Sequence, residues 1–315
     1  MIKITSSLFL ATLLGLCLHV AAAQAQLVRT CVSMAKGNDA NAASSCHCTT
    51  PCRTFATAHA NTLSDGEITV LDPGDYGGLT ITKSISINND SGGEASITVS
   101  GGTTGIIVNA GSGAYVNLRG LTIQGVGFGT TTGLRFNTGL FLTMTNCVVR
   151  NHTGNAIEFR PNGNSNLSVL NTLAADNGGS GLFVQPTGSG AVKVALSRVE
   201  AHNNSAHGVF VDGGQTTGTI NAAVSESVAA GNSQVGFLVA SDLSHTFIKF
   251  MLVRSVAANN GTGLQNGGHA EFSVGESVVT GNLTSWPGCV ASYGDNFVRS
   301  NGDGDPPAGC GATKK

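Results

Sequence analysis

Side chains able to hold a metal, move a proton or attack a bond are sparse in this sequence. Charged residues are 11% of 315, against about 25% in an ordinary globular chain. In the central region the acids are Glu158, Asp176, Glu200, Asp212, Glu226, Asp242, Glu271 and Glu276. A calcium site needs several converging oxygens, and glycosidic hydrolysis needs two carboxylates facing one sugar. The spacing of these acids marks out neither. Ala206-His207-Gly208 offers one imidazole, read as a solvated turn residue. Cys46-His47-Cys48 with Cys52 could chelate zinc, but the spacing fits no standard ligand pattern. No resident metal or cofactor is expected.

The cysteines fit better as staples. Residues 1–25 read as a signal peptide, with Lys3, an apolar run from Leu8 to Val20, and Ala23-Gln24-Ala25 as the cleavage site. The run is too short to span a bilayer, which takes ~20 residues, and no transmembrane segment follows. The expected location is secreted or periplasmic, where thiols pair. Cys289 with Cys310 is the natural C-terminal pair. At the N-terminus Cys46 with Cys52 and Cys31 with Cys48 is the preferred arrangement, although four clustered cysteines leave other connectivities open. Cys147 is left over inside a repeat and reads as a small buried hydrophobe.

Those repeats must position any site. A small residue followed by an apolar-x-apolar strand recurs at Gly105, Gly133, Ala156, Gly181, Gly208, Gly236 and Gly263, at spacings of 28, 23, 25, 27, 28 and 27 residues. A second alternating strand follows each, as in Val192 to Leu196. A third short strand ends on Asn, at Asn151, Asn177, Asn203, Asn232, Asn260 and Asn282. One such unit cannot bury its own apolar face, but units stacked about 4.8 Å apart pair every strand in parallel with its copies. The expectation is an all-β chain: a right-handed, single-stranded parallel β-helix with three short strands per coil. About eight or nine coils should run from Glu67 to Asn282, with the terminal Asn side chains pairing along the axis. The expected layout is a cysteine-stapled N-terminal cap with a short helix near 51–60 over residues 26–65, coils over 66–284, and a disulfide-closed C-terminal cap over 285–315. In this arrangement Glu226 and Glu276 share a column two coils apart, roughly 10 Å.

On these motifs the chain resembles the right-handed β-helix proteins of the pectin-lyase-like superfamily, and more closely a bacterial secreted group. The residues that carry the resemblance are Gly37-Asn38-Asp39-Ala40-Asn41, Cys46, Pro51-Cys52-Arg53-Thr54-Phe55, and Leu71-Asp72-Pro73-Gly74-Asp75-Tyr76-Gly77. The resemblance implies fold and export. It implies little about activity, because the fold hosts several functions. Polysaccharide lyases of this kind use an acidic trio for calcium with a basic residue, and polygalacturonases use paired aspartates with a Gly-His-Gly. Only Ala206-His207-Gly208 echoes the latter.

One surface remains. Outward positions of the first strand read Ile107, Arg135, Glu158, Phe183, Phe210, Leu238 and Gln265. This sets Phe183 beside Phe210, flanked by Glu158, Arg160, Gln185 and Asp212. Aromatic faces beside planar hydrogen-bonding groups suit a sugar chain lying along the helix, although exposed phenylalanines on a β surface are more often covered by a neighbouring loop or part of a self-association patch. The reading is therefore a non-catalytic glycan-binding or scaffold protein, with polysaccharide as the expected partner. The alternative is a divergent lyase or hydrolase around Glu158, Arg160, His207 and Asp212, calcium entering only in that case. A net charge of −2 predicts no attraction to nucleic acid or anionic membranes. Oligomeric state is not encoded in any feature above.

Overall fold

The computed structural model describes residues 26–90, 92–129 and 131–304. The signal segment and Cys310 lie outside the described residues. The chain winds as a parallel β-solenoid. One face is an eight-stranded sheet running through Leu79–Ile81, Thr104–Asn109, Thr132–Thr138, Ile157–Phe159, Leu182–Val184, Val209–Asp212, Val235–Ala240 and Thr262–Asn266. Eight strands stack on this face, marking eight coils with seven complete turns between the first and the last. The second and third faces merge into one sheet, because in the middle coils their strands are continuous, as in Ser165–Ala175 and Val192–His202, or only two residues apart, as between Ile220–Ser225 and Val228–Ala230. The corner between them is left-handed at Asn171, Arg198, Glu226 and Arg254.

Alternation sets the core. In Val192–His202, Val192, Val194 and Leu196 point in while Lys193 and Ala195 point out. Like residues stack along the axis. Phe136 lies on Phe159 with centroids 4.6 Å apart, and Phe250 on Phe272 at 4.7 Å. Cys147 is buried and unpaired, its thiol pKa raised by burial, so it is packing rather than a nucleophile.

An asparagine ladder runs through the interior, but its register differs from the one expected in two coils. The buried members are Asn177, Asn204, Asn232, Asn260, Asn282 and Asn301, each amide donating to the next Oδ1 at 2.9–3.0 Å. Asn151 and Asn203 lie one residue earlier, at left-handed turn positions with φ of 59° and 53°. Their interior counterparts are His152 and Asn204. The recurring small residue has its reason here. A Cβ on Gly208 would stand 2.6 Å from the carbonyl oxygen of Gly236 and 3.0 Å from Asn232 Nδ2, so glycine makes room for the ladder above it.

The N-terminal region adds to the stack as well as covering it. Leu27–Val32 pairs in parallel with Thr62–Val70, and the helix spans Phe55–Asn61. Cys31 bonds to Cys48 and Cys46 to Cys52, so none of these is free for zinc. The motif residues behind the resemblance knit this region. Asp72 accepts from Ser33 Oγ and from the amides of Met34 and Ala35, and also from the Tyr76 hydroxyl. Asp39 accepts from the amides of Arg53 and Thr54. At the other end the sheet continues through Ala291–Ser292 and Phe297–Arg299, beyond the expected last coil. Cys289 is disulfide-bonded.

His59 makes this cap acid-sensitive. Its Nε2 accepts from the Thr82 amide at 3.3 Å, and burial, then the Lys83 ammonium, push its pKa down to about 4. Unfolded, it titrates near ~6.5. Between those values the unfolded chain binds a proton that the folded chain does not. Stability from this residue is therefore complete above pH 6.5 and falls toward pH 4, by on the order of 2–3 kcal/mol. Urea midpoints at pH 7.5 and 4.5 should fall less for His59→Gln than for wild type. Equal losses would contradict this assignment.

Candidate functional site

The first face carries the residues of interest on its outer side. Parallel register puts Arg135, Glu158, Phe183, Phe210 and Leu238 in one column. The Phe183 and Phe210 rings are half-buried and tilted, with centroids 5.2 Å apart. His207 meets Phe210 edge-on at 5.0 Å. Burial lowers the His207 pKa, so the ring is neutral at pH 7. Its Nδ1 is buried with no partner among the described residues.

The carboxylates around these rings are occupied. Glu158, expected to flank the patch at the surface, is only 6% exposed. Its Oε2 takes Arg135 Nε at 2.6 Å and its Oε1 takes Asn155 Nδ2 at 2.8 Å. Asp212 accepts Gln185 Nε2 at 2.7 Å on one oxygen and the Gly214 amide at 2.8 Å on the other. Two coils and two residues separate Glu158 from Asp212, about 12 Å along the sheet. Glycosidases hold their carboxyls roughly 5–9.5 Å apart. Arg160 stands at the rim, half-buried and in no ion pair among the described residues.

No group of three or more His, Cys, Asp or Glu side chains among the described residues is placed to hold a metal. Glu226 bridges Arg198 at 3.6 Å and Arg254 at 3.4 Å, a charge ladder along the left-handed corner. Asp242, Ser244 and His245 cluster in a turn, where Ser244 lowers the Asp242 pKa to about 2, with His245 next. Ser244 Oγ and Asp242 Oδ1 both meet the same nitrogen, His245 Nδ1. A nucleophile relay needs the two ring nitrogens on different partners.

Sequence reasoning missed a groove of about 400 Å³ on the second face, lined by Lys193, Asn221, Lys249, Met251, Glu271 and Tyr293. The signal that could have revealed it is two lysines in one column beside Ala195 and Ala223 in the next.

A family model described as a right-handed β-helix region matches residues 83–250. The chain belongs to the right-handed β-helix family. Among solved structures, this β-helix is similar to pectate lyase Pel9A, with a TM-score of 0.47 at 17% identity over 84% of this chain and 67% of that one. It is also similar to the A-module of the mannuronan C-5 epimerase AlgE4 of Azotobacter vinelandii, with a TM-score of 0.47 at 14% identity over 79% and 90%. No curated protein matches this β-helix chain. No helix among the described residues is long and apolar enough to cross a membrane.

Proposed function

We propose that this β-helix is an exported glycan-binding protein that holds a polysaccharide on its first face without cleaving it. The observation that carries the reading is the Phe183–Phe210 pair, half-open to solvent beside carboxylates whose oxygens are all hydrogen-bonded. Rings of this kind stack on the apolar faces of sugars, while Arg160 and the Gln185–Asp212 pair supply planar hydrogen-bonding edges. Glu158 and Asp212 are tied into local bonds and stand too far apart to flank one glycosidic bond, which weighs against a lyase or hydrolase at this patch. Export accords with the disulfides Cys31–Cys48 and Cys46–Cys52, which form in oxidising compartments.

Glycan-array binding followed by affinity electrophoresis tests the patch. Phe183→Ala with Phe210→Ala should weaken retention about tenfold or more, with thermal stability checked in parallel. Unchanged retention of the bound glycan would sink the patch.

A further inference from the structure

The second-face groove has a charge pattern of its own. Parallel register stacks Lys193, Asn221, Lys249 and Glu271 in one outward column, one residue per coil. Consecutive members are about 4.8 Å apart, so the two lysines stand roughly 10 Å apart with an amide between them. Both lysines and Asn221 are exposed. No ion pair among the described residues includes either lysine. The neighbouring column is Ala195, Ala223, Met251 and Ser273, whose two alanines leave a low floor beside Lys193 and Asn221, with Met251 beside Lys249. Tyr293 closes the C-terminal end. It lies over Gly275, where an added Cβ would stand 3.1 Å from the Tyr293 ring. The result is a groove parallel to the helix axis with a cation, an amide, a cation and then an anion along one wall.

We infer that this groove is a separate site for a linear acidic glycan whose anionic sugars alternate with neutral, amide-bearing ones. Lys193 and Lys249 meet successive carboxylates one disaccharide apart. Asn221 faces the intervening neutral sugar, where its amide can both donate and accept. Glu271 lies one step beyond Lys249 and repels a carboxylate there, which disfavours a chain charged on every sugar. Tyr293 offers a ring for stacking at the closed end. The site shares no residue with the Phe183–Phe210 patch, so either reading can fail alone.

Affinity electrophoresis of the full mature chain tests it, in gels containing hyaluronan, polygalacturonate or dextran. Wild type should be retarded most by hyaluronan, and the retardation should weaken as salt rises. Lys193→Gln with Lys249→Gln should weaken hyaluronan retention at least tenfold without lowering the melting temperature. Glu271→Gln should strengthen retention and narrow the preference over polygalacturonate. Phe183→Ala with Phe210→Ala should leave hyaluronan retention intact. Full retention by the double lysine variant would overturn the site, and equal retardation by hyaluronan and polygalacturonate would overturn the alternating pattern.

Discussion

Asn232→Leu is expected to destabilise the protein by about 3–5 kcal/mol, because it removes the middle rung of a buried ladder and leaves its neighbours' donors unmet. The Asn232 side chain is 1% exposed and fully used. Its Nδ2 donates to Asn260 Oδ1 and to the Ala201 carbonyl, both at 2.9 Å. Its Oδ1 accepts the Asn204 amide side chain at 2.9 Å and the Asn204 backbone N–H at 3.1 Å. Leucine fills similar volume and satisfies none of these, so two buried donors of Asn204 lose their acceptor. The urea midpoint should fall accordingly. A change under about 1 kcal/mol would mean that the ladder is ornamental to stability.

The second large effect belongs to the glycine column that faces this ladder. Gly208→Val is expected to cost about 3–5 kcal/mol, combining overpacking with a displaced ladder bond. The backbone there is not left-handed, so the cost is steric. The new Cβ would lie 2.6 Å from Gly236 O, 2.8 Å from Ala229 Cβ and 3.0 Å from Asn232 Nδ2. Gly208→Ala should cost less, because one coil already carries alanine. There, above Ala156, Asn177 donates to the carbonyl of Ala175 in its own coil. By contrast Asn204, Asn232 and Asn260 reach down to Ala174, Ala201 and Ala229 in the coil below. Circular-dichroism melts of the two substitutions should rank valine well below alanine. Equal melting temperatures would contradict the close-approach explanation.

Period and alternation made the faces legible from sequence, since in a β-helix each is read directly as a column. Small residues at Gly181, Gly208 and Gly236 marked the start of each first-face strand. Their reason was not legible, because it lies in the distance to a carbonyl one coil away. The asparagine ladder was half legible. Asn203 and Asn204 are adjacent, and only the backbone decides which takes the left-handed turn and which enters the core. The site was less readable still. Alternation pointed Glu158 outward, yet Arg135 from the coil below and Asn155 from its own turn cover it, and a one-dimensional parity rule cannot see a cross-coil ion pair. His207 looked like a solvated turn residue, but its ring packs edge-on against Phe210. The second-face groove depends on what is small beside the lysines, a two-dimensional property of the sheet.

The central claim is that the first face binds a glycan and leaves it intact. Incubating the protein with the polysaccharide that it retains, with and without Ca²⁺, and measuring both retention and new chain ends tests that claim most directly. Retention that depends on Phe183 and Phe210, with no new reducing or unsaturated ends in either condition, is the predicted result. Release of such ends, or retention indifferent to both phenylalanines, would contradict it.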